Sequence, residues 1–488
     1  MTRLSDETLA ALPASVARPG YDRAAIRTGV VHLGIGAFHR AHQAAIFDSA
    51  LDAGDDRWGI VAASLRSPTV RDAMQPQDGL YTLVERGGAD RRLRVIGAVR
   101  SVIVAPQDPA ALVAALAHRE VAIVTLTVTE KGYRLDPVTG SLREDDPDVA
   151  HDLTDLSAPR TAPGFVVAGL AARRAQGLAP FTAISCDNLP HNGARLRAAV
   201  LAIAERHDPA LAAWIADRGA FPQTMVDRIV PATTAADIAA LADTIGVEDA
   251  AMIKTEPFLQ WVIEDRFCGP RPDFAALGVQ LTDSVEPWET AKLRMLNGAH
   301  SGIAYLGALA GIDFVHQFVD RAPGRAFVEA LWDETQATLT PPPGLDLASY
   351  RGALMTRFAN PALQHHTRQI ATDGSQKLPQ RLIAPIAERL AAGADCDRMA
   401  LAVAAWMRWQ SGVTDAGDRF AVDDPLADRT AAALAGTPDA AARVDALLAI
   451  EAIFPSALAA DPAFRAMLAR HLDRIERHGA IVAMSPHP

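Results

Sequence analysis

Between residues 30 and 63 a strand, a glycine turn, a helix and a second strand follow one another, and no other stretch limits the fold as tightly. Val30-Val-His-Leu33 reads as a short buried strand and Gly34-Ile-Gly36 as a tight turn. A helical pattern runs from about residue 39 to residue 53, and Gly59-Ile-Val-Ala-Ala63 reads as the next strand. A helix between two strands is a crossover connection, so the strands are expected to lie parallel in one sheet. The alternation continues with a hairpin from residues 81–85 and 94–98 around Gly87-Gly88, and with a helix over 109–116. A strand over 122–128, a helix over 165–176 and a strand over 181–185 follow.

From about Glu286 the texture changes. Alanine- and leucine-rich amphipathic segments dominate, at 378–391, 398–409, 440–453 and 462–477, and strand-like runs almost vanish. Residues 1–283 are therefore expected to form a nucleotide-binding α/β domain and residues 284–488 a mostly α-helical one. A chain of 488 residues is too long for one ordinary core, which agrees with two domains or more.

Composition narrows the function classes. The net charge of −11 is diffuse, with no basic stripe, which argues against nucleic acid and against anionic membrane surfaces. A local cluster of Lys, Arg and His still leaves room for an anionic substrate. Three widely spaced cysteines, Cys186, Cys268 and Cys396, fit a reducing cytosol and offer no zinc site. No apolar signal segment and no run of about 18 apolar residues is visible, so a cytoplasmic protein without a membrane partner is the expectation. A nucleophile elbow, a P-loop and a His-Glu-x-x-His motif are all missing, which lowers hydrolase and kinase readings.

Lys292, Asn297 and His300 put a proton donor, an amide and an imidazole on what reads as the first turns of an apolar helix. At about 100° per residue, Asn297 lies roughly 140° and His300 roughly 80° around the axis from Lys292. The three fit within half of the cylinder and can converge on one small polar ligand; alone, the spacing also describes an ordinary polar patch. Gly34, Ile35, Gly36, Ala37, Phe38, His39 and Arg40 stand where a dinucleotide fingerprint belongs, with His39 in place of its third glycine. The bland reading is a tight turn, with Arg40 either a phosphate contact or a solvated helix residue. Residues 64–69 carry no acid to grip a ribose 2′-hydroxyl, and Arg66 is either a 2′-phosphate contact or a surface arginine. Asn188 ends a strand where open α/β sheets bind ligands, as a donor to a carbonyl oxygen or as an Asx-turn or N-cap. Glu130 faces the same crevice or caps a loop. Asp227 and Arg228 read as a structural ion pair, residues 373–377 as a polar turn before a helix, and His365-His366 as exposed.

In this order the motifs resemble the polyol-specific long-chain dehydrogenases, a family that includes mannitol 2-dehydrogenase, arabinitol dehydrogenase and fructuronate reductase (D-mannonate oxidoreductase). They are residues 31–42, 127–133, 185–188, 221–231, 292–300 and 373–379, and the resemblance covers nearly the whole chain. It implies a Rossmann-type dinucleotide-binding domain followed by a mostly α-helical domain, in a metal-independent enzyme that uses NAD, with NADP left open. It further implies Lys292 as general acid/base, Asn188 and Asn297 as the pair holding the reacting oxygen, and His300 as a substrate-orienting group. Glu130 and Glu289 match positions associated with proton passage to solvent, and Asp227 and Lys377 match polar positions near the substrate. Such chemistry is coherent. Hydride transfer to a ketone builds negative charge on oxygen, amide donors aimed at it act as an oxyanion hole, and a desolvated lysine is suited to deliver the proton.

The implied partner is a small sugar alcohol or sugar acid. Residues 129–132, 228–233 and 369–381 look closer to fructuronate reductases; Gln369 stands where mannitol dehydrogenases often have arginine, and no acid stands near Thr69. Residues 187–193 look more like the mannitol and arabinitol enzymes. The expected reaction interconverts D-mannonate and D-fructuronate, with oxidation of mannitol or another linear polyol as the alternative. Readings of another class are a nucleotide-binding sugar sensor without catalysis and a decarboxylase built on a similar lysine and asparagine.

Overall fold

In the computed structural model, which describes residues 2–88, 90–136 and 139–485, five apolar strands form a wholly parallel sheet. They are β1 (Thr28–Leu33), β2 (Gly59–Ser64), β3 (Val99–Val104), β4 (Ile123–Leu126) and β5 (Thr182–Ser185), in the order β3-β2-β1-β4-β5. Alternate side chains serve opposite faces. Val30, Ile60, Ile123 and Ile184 pack with Ile46 and Phe47 of helix Gln43–Asp52. Val31, Leu33, Val124 and Leu126 pack with Leu112 and Leu116 of helix Pro109–Ala117 and with Phe165 and Val166 of helix Ala162–Ala175. Burial on both faces is why these strands read as continuous apolar runs. The strand order reverses at β1, so the loops after β1 and β4 diverge and leave a crevice at the C-terminal edge, the doubly wound arrangement.

The helix expected from residue 39 is broken. His42 (φ −118°, ψ −87°) separates Ala37–Ala41 from Gln43–Asp52, and its buried Nε2 donates to the Gln260 carbonyl at 2.9 Å. The hairpin of Tyr81–Gly87 and Asp90–Ile96 belongs to a second sheet with Val16–Ala17 and Ile253–Thr255. A third sheet joins Thr224–Asp227, Gln260–Glu264 and Gln280–Thr282. All of these lie in one unit, Met1–Val285.

The other unit, Glu286–Pro488, is helical, with only isolated β-bridges among its described residues. Helix Gly298–Leu309 is buried at every position and packs against Asp397–Trp409. A helix buried on all sides persists only as the centre of a bundle. The segment carrying Lys292 is not the first turns of an α-helix. The helix starts at Glu286, and Lys292–Asn297 is π-helical. Side chains hold the displaced carbonyls there: Trp332 Nε1 donates to Met295 O at 2.9 Å and Ser301 Oγ to Asn297 O at 3.2 Å. The helix expected over 378–391 contains a second π-turn, Pro379–Ile383, because proline has no N–H to give and crowds the preceding turn. The two π-turns pack together, and a Cβ on Gly298 would lie 3.2 Å from the Arg381 carbonyl oxygen. No helix among the described residues is long and apolar enough to cross a membrane.

Gly34 follows β1 with φ +98°, and a Cβ there would run into the Thr127 carbonyl oxygen. Gly34→Ala is expected to destabilise its unit by about 3 kcal/mol through backbone strain and overlap. Urea unfolding should show this as a lowered midpoint, and an unchanged midpoint would contradict the turn.

Candidate active site

At the end of β1 the chain spends its backbone donors quickly. Gly34 N and Ile35 N both reach the Ala63 carbonyl, at 2.8 and 3.1 Å, and Gly36 N reaches the Gly34 carbonyl at 2.6 Å. The N–H groups of Ala37, Phe38 and His39, opening helix Ala37–Ala41, then find no acceptor among the described residues. Gly36 is exposed, and a Cβ on it would meet nothing nearer than 3.8 Å. Three free backbone donors beside a bare glycine make a cradle that fits the diphosphate of a dinucleotide.

Below this turn His32 fixes its shape. His32 Nε2 lies 3.0 Å from both the Gly34 carbonyl oxygen and Thr127 Oγ1, and Nδ1 lies 2.8 Å from Thr125 Oγ1. The His39 ring stacks on His32 with centroids 3.3 Å apart. Burial pushes His32 down to about 3 and His39 well below its ordinary value, so both rings are neutral. The side chains of His39 and Arg40, two of the expected cofactor residues, turn inward. Arg40 is buried rather than solvated. It donates from Nη1 to the Ala251 carbonyl at 2.6 Å and from Nε to the Gly36 carbonyl at 3.4 Å. The Ile35 side chain is also buried, whereas Arg66 after β2 is exposed.

The ends of β4 and β5 are lashed together by Asp187, which the motif reading passed over. Its Oδ2 accepts from Val128 N at 3.0 Å and Tyr133 OH at 2.7 Å, and its Oδ1 from Thr129 N at 2.8 Å. Thr129 is held at φ 66° and ψ 164°, a conformation otherwise almost confined to glycine. Glu130, exposed in the turn Glu130–Tyr133, and Asn188, also exposed, thus stand at the C-terminal ends of adjacent strands. Asp227 is buried at the end of Thr224–Asp227. The ion pair that Arg228 makes runs to Glu85 rather than marking a simple pair with its neighbour, and its Nε and Nη2 also reach the Glu256 carbonyl at 3.1 and 2.8 Å.

In the helical unit, Lys292 (8% exposed) opens the π-turn and Asn297, partly buried, closes it. In an i→i+5 ring the fifth residue on returns to the side of the first. The separation of roughly 140° expected from α-helical geometry is thereby narrowed. Glu289, partly buried, precedes Lys292 by one α-turn. His300 is buried against Phe358 and His365, with ring centroids at 4.8 and 5.1 Å. Its Nε2 is buried and has no partner. Burial, reinforced by His365, Arg357 and Arg381, holds its pKa well below the usual range. His365 is partly buried rather than exposed, and burial beside Arg357 and His366 pushes it down to about 4; His366 is exposed. Lys377 is tied to its own loop, donating from Nζ to the Thr372 carbonyl at 2.5 Å and the Ile370 carbonyl at 3.4 Å, with its pKa lowered by burial. Among the described residues no three His, Cys, Asp or Glu side chains gather as a metal site would require.

Residues 28–276 match the family model for the mannitol dehydrogenase Rossmann domain, and residues 284–476 that for the mannitol dehydrogenase C-terminal domain. The chain is 43% identical over 459 residues to D-mannonate oxidoreductase of Escherichia coli (strain K12), covering 93% of each. It is 40% identical over 494 residues to mannitol 2-dehydrogenase of Pyrenophora tritici-repentis (strain Pt-1C-BFP), covering 99% of this chain and 86% of the other. The solved ternary complex of Pseudomonas fluorescens mannitol 2-dehydrogenase with NAD and D-mannitol is similar across 99% of both chains, with a TM-score of 0.85 and 39% identity.

The neutral histidines carry a pH signature. An unfolded His365 protonates near 6.5, whereas the folded one does so only near 4. Across that window the unfolded chain binds more protons, so stability is complete above pH 6.5 and falls as the pH drops towards 4. His365→Gln should flatten this part of the stability–pH curve measured by denaturant unfolding; an identical slope in the variant would place the proton uptake elsewhere.

Proposed function

The chain belongs to the mannitol dehydrogenase family of oxidoreductases, enzymes acting on CH–OH groups, and from that premise we propose that it interconverts a secondary alcohol and a ketone on a linear sugar derivative, with NAD and without a metal. The favoured pair is D-mannonate and D-fructuronate. The observation that carries this reading is the π-turn, which brings a buried lysine and an amide to the same side of one helix. The glycine turn with its free N–H groups supports the cofactor.

When bound, the dihydronicotinamide supplies the hydride. As the ketone is reduced, its oxygen gains negative charge, and Asn188 and Asn297 donate to it through their amides. A single such donor is typically worth about 10²–10³ in rate. Lys292 Nζ gives the oxygen its proton in reduction and removes it in oxidation, and burial keeps water from competing for that position. Glu289 and the exposed Glu130 pass protons towards solvent. His300, neutral and with Nε2 unpaired, is set to meet a substrate hydroxyl, while Asp227 and Lys377 address other polar groups of the substrate. The exposed Arg66, where a 2′-phosphate would lie, keeps NADP in the test.

The likeness to D-mannonate oxidoreductase at 43% identity supports the sugar acid. The likeness to mannitol 2-dehydrogenases supports the second reading, oxidation of mannitol or another linear polyol. Assays of mannonate, mannitol, arabinitol and sorbitol with NAD and NADP, followed by reduced-nicotinamide absorbance, should show turnover of mannonate. Turnover of polyols alone would reject the leading substrate. Lys292→Ala should lower kcat by about 10³-fold, the usual scale of general acid–base catalysis, with cofactor binding retained. Unchanged turnover would remove the lysine from the mechanism, and a wild type that binds dinucleotide without turning over any sugar would favour the sensor reading.

A further inference from the structure

Arg381 stands on the second π-turn, where that turn packs against the first. Its Nη1 donates to the Asn297 carbonyl at 3.4 Å and to Ser301 Oγ at 3.3 Å; both contacts are long, and both acceptors are neutral. Nε and Nη2 have no acceptor among the described residues, nor does any carboxylate there lie within ion-pairing distance. Burial lowers its pKa to about 10. Other buried arginines of this chain are compensated: Arg228 by Glu85, and Arg40 and Arg173 by backbone carbonyls at 2.6 and 2.7 Å. Arg381 has no carboxylate partner among the described residues and only the long contact to the Asn297 carbonyl. Arg357 and Arg381 both depress His300, while the acids Asp373, Asp423 and Asp424 act on Lys377. A partly buried cation left in this state gains from any anion that meets it.

We propose that Arg381 is a specificity-determining residue that holds the carboxylate of a sugar-acid substrate. The inference rests on the proposed function, which places the reacting oxygen at Asn297, the residue whose carbonyl Arg381 touches. A carboxylate offers two coplanar oxygens matched to the guanidinium N–H fork, and pairing supplies the counter-charge that the protein withholds. A hydroxymethyl group at the same end of the chain offers one neutral acceptor and leaves the cation bare. The choice between acid and alcohol is therefore made at this end, away from the carbon that exchanges hydride.

D-mannonate and D-mannitol are the probes, since they share a carbon skeleton and differ by a carboxylate against a hydroxymethyl group. With the full chain and NAD, Arg381→Gln should lower kcat/KM for mannonate at least about 30-fold more than for mannitol, with the excess loss mostly in KM. Arg381→Lys keeps the charge without the fork and should fall between; it makes the same comparison should the glutamine variant not fold. Equal losses on both substrates would mean that Arg381 only supports the Asn297 turn, and would overturn the proposal. Unchanged mannonate kinetics, or a wild type that oxidises mannitol and ignores mannonate, would also overturn it. If the wild type oxidises neither, the proposed function itself has failed. Calorimetric binding of mannonate to wild type and to Arg381→Gln then decides this inference alone: loss in the variant supports it, and equal or absent binding overturns it.

Discussion

A helical ring one residue wider than usual is the constraint on which the helical unit's chemistry depends. In a regular α-helix, Lys292 and Asn297 would point in well-separated directions. The π-turn between them narrows that separation but leaves backbone carbonyls badly placed for the normal ladder. The unit answers with side chains: Trp332 takes the Met295 carbonyl, and Ser301 and Arg381 share that of Asn297. Arg294, within the same turn, is anchored at 2.8 Å to the Thr338 carbonyl and at 2.6 Å to Glu388. The widened turn is thus fixed by its neighbours from outside, and the fully buried helix that follows it gives those neighbours a rigid reference.

A comparable arrangement holds the ligand edge of the parallel sheet. β4 and β5 deliver their loops side by side, but register alone does not define how Glu130 and Asn188 are presented. Asp187 does that, with one carboxylate accepting from two backbone N–H groups and the Tyr133 hydroxyl. It keeps Thr129 in a backbone conformation that a free chain would leave. His32 performs the same service at the Gly34 carbonyl, where its neutrality matters. A protonated imidazole there would be a buried charge without a counter-ion.

The parallel sheet and its crossover helices were legible because each strand is apolar on both faces and each helix shows one apolar stripe; the expected α/β domain and helical domain are both observed. Strands such as Val16–Ala17 and Ile253–Thr255 were not, since two or three residues register no period. The glycine turn was visible from composition, but the inward rotation of His39 and Arg40 depends on contacts with His32 and Ala251, which are remote in sequence from Arg40 or hidden in a strand. The π-turns left little trace. Pro379 hinted at the second, and nothing in residues 292–297 distinguishes a six-residue π-stretch from an α-helix. His365 was misplaced for a related reason, because a His-His pair looks solvated until His300, itself packed on Phe358, is folded against His365. Asp187 lay in a recognised motif, yet its role depends on a loop nearly sixty residues earlier in the chain.

These features share one physical character: each is unfavourable by itself and is maintained by well-packed surroundings. The strained Thr129, the unpaired N–H groups after Gly36, the buried Nε2 of His300 and the under-compensated Arg381 would each relax in a looser fold. They also differ in what would relieve them. The backbone donors seek negative oxygen, His300 seeks a hydroxyl, and Arg381 seeks an anion. A group that meets any one of these positions lowers the free energy of the folded chain there, so binding and stability are linked. A polyol offers hydroxyls alone and leaves Arg381 uncompensated. Burial is the main reason that His300 and His365 stay neutral, and Arg357 beside them adds to it, since a further cation there would oppose the fold.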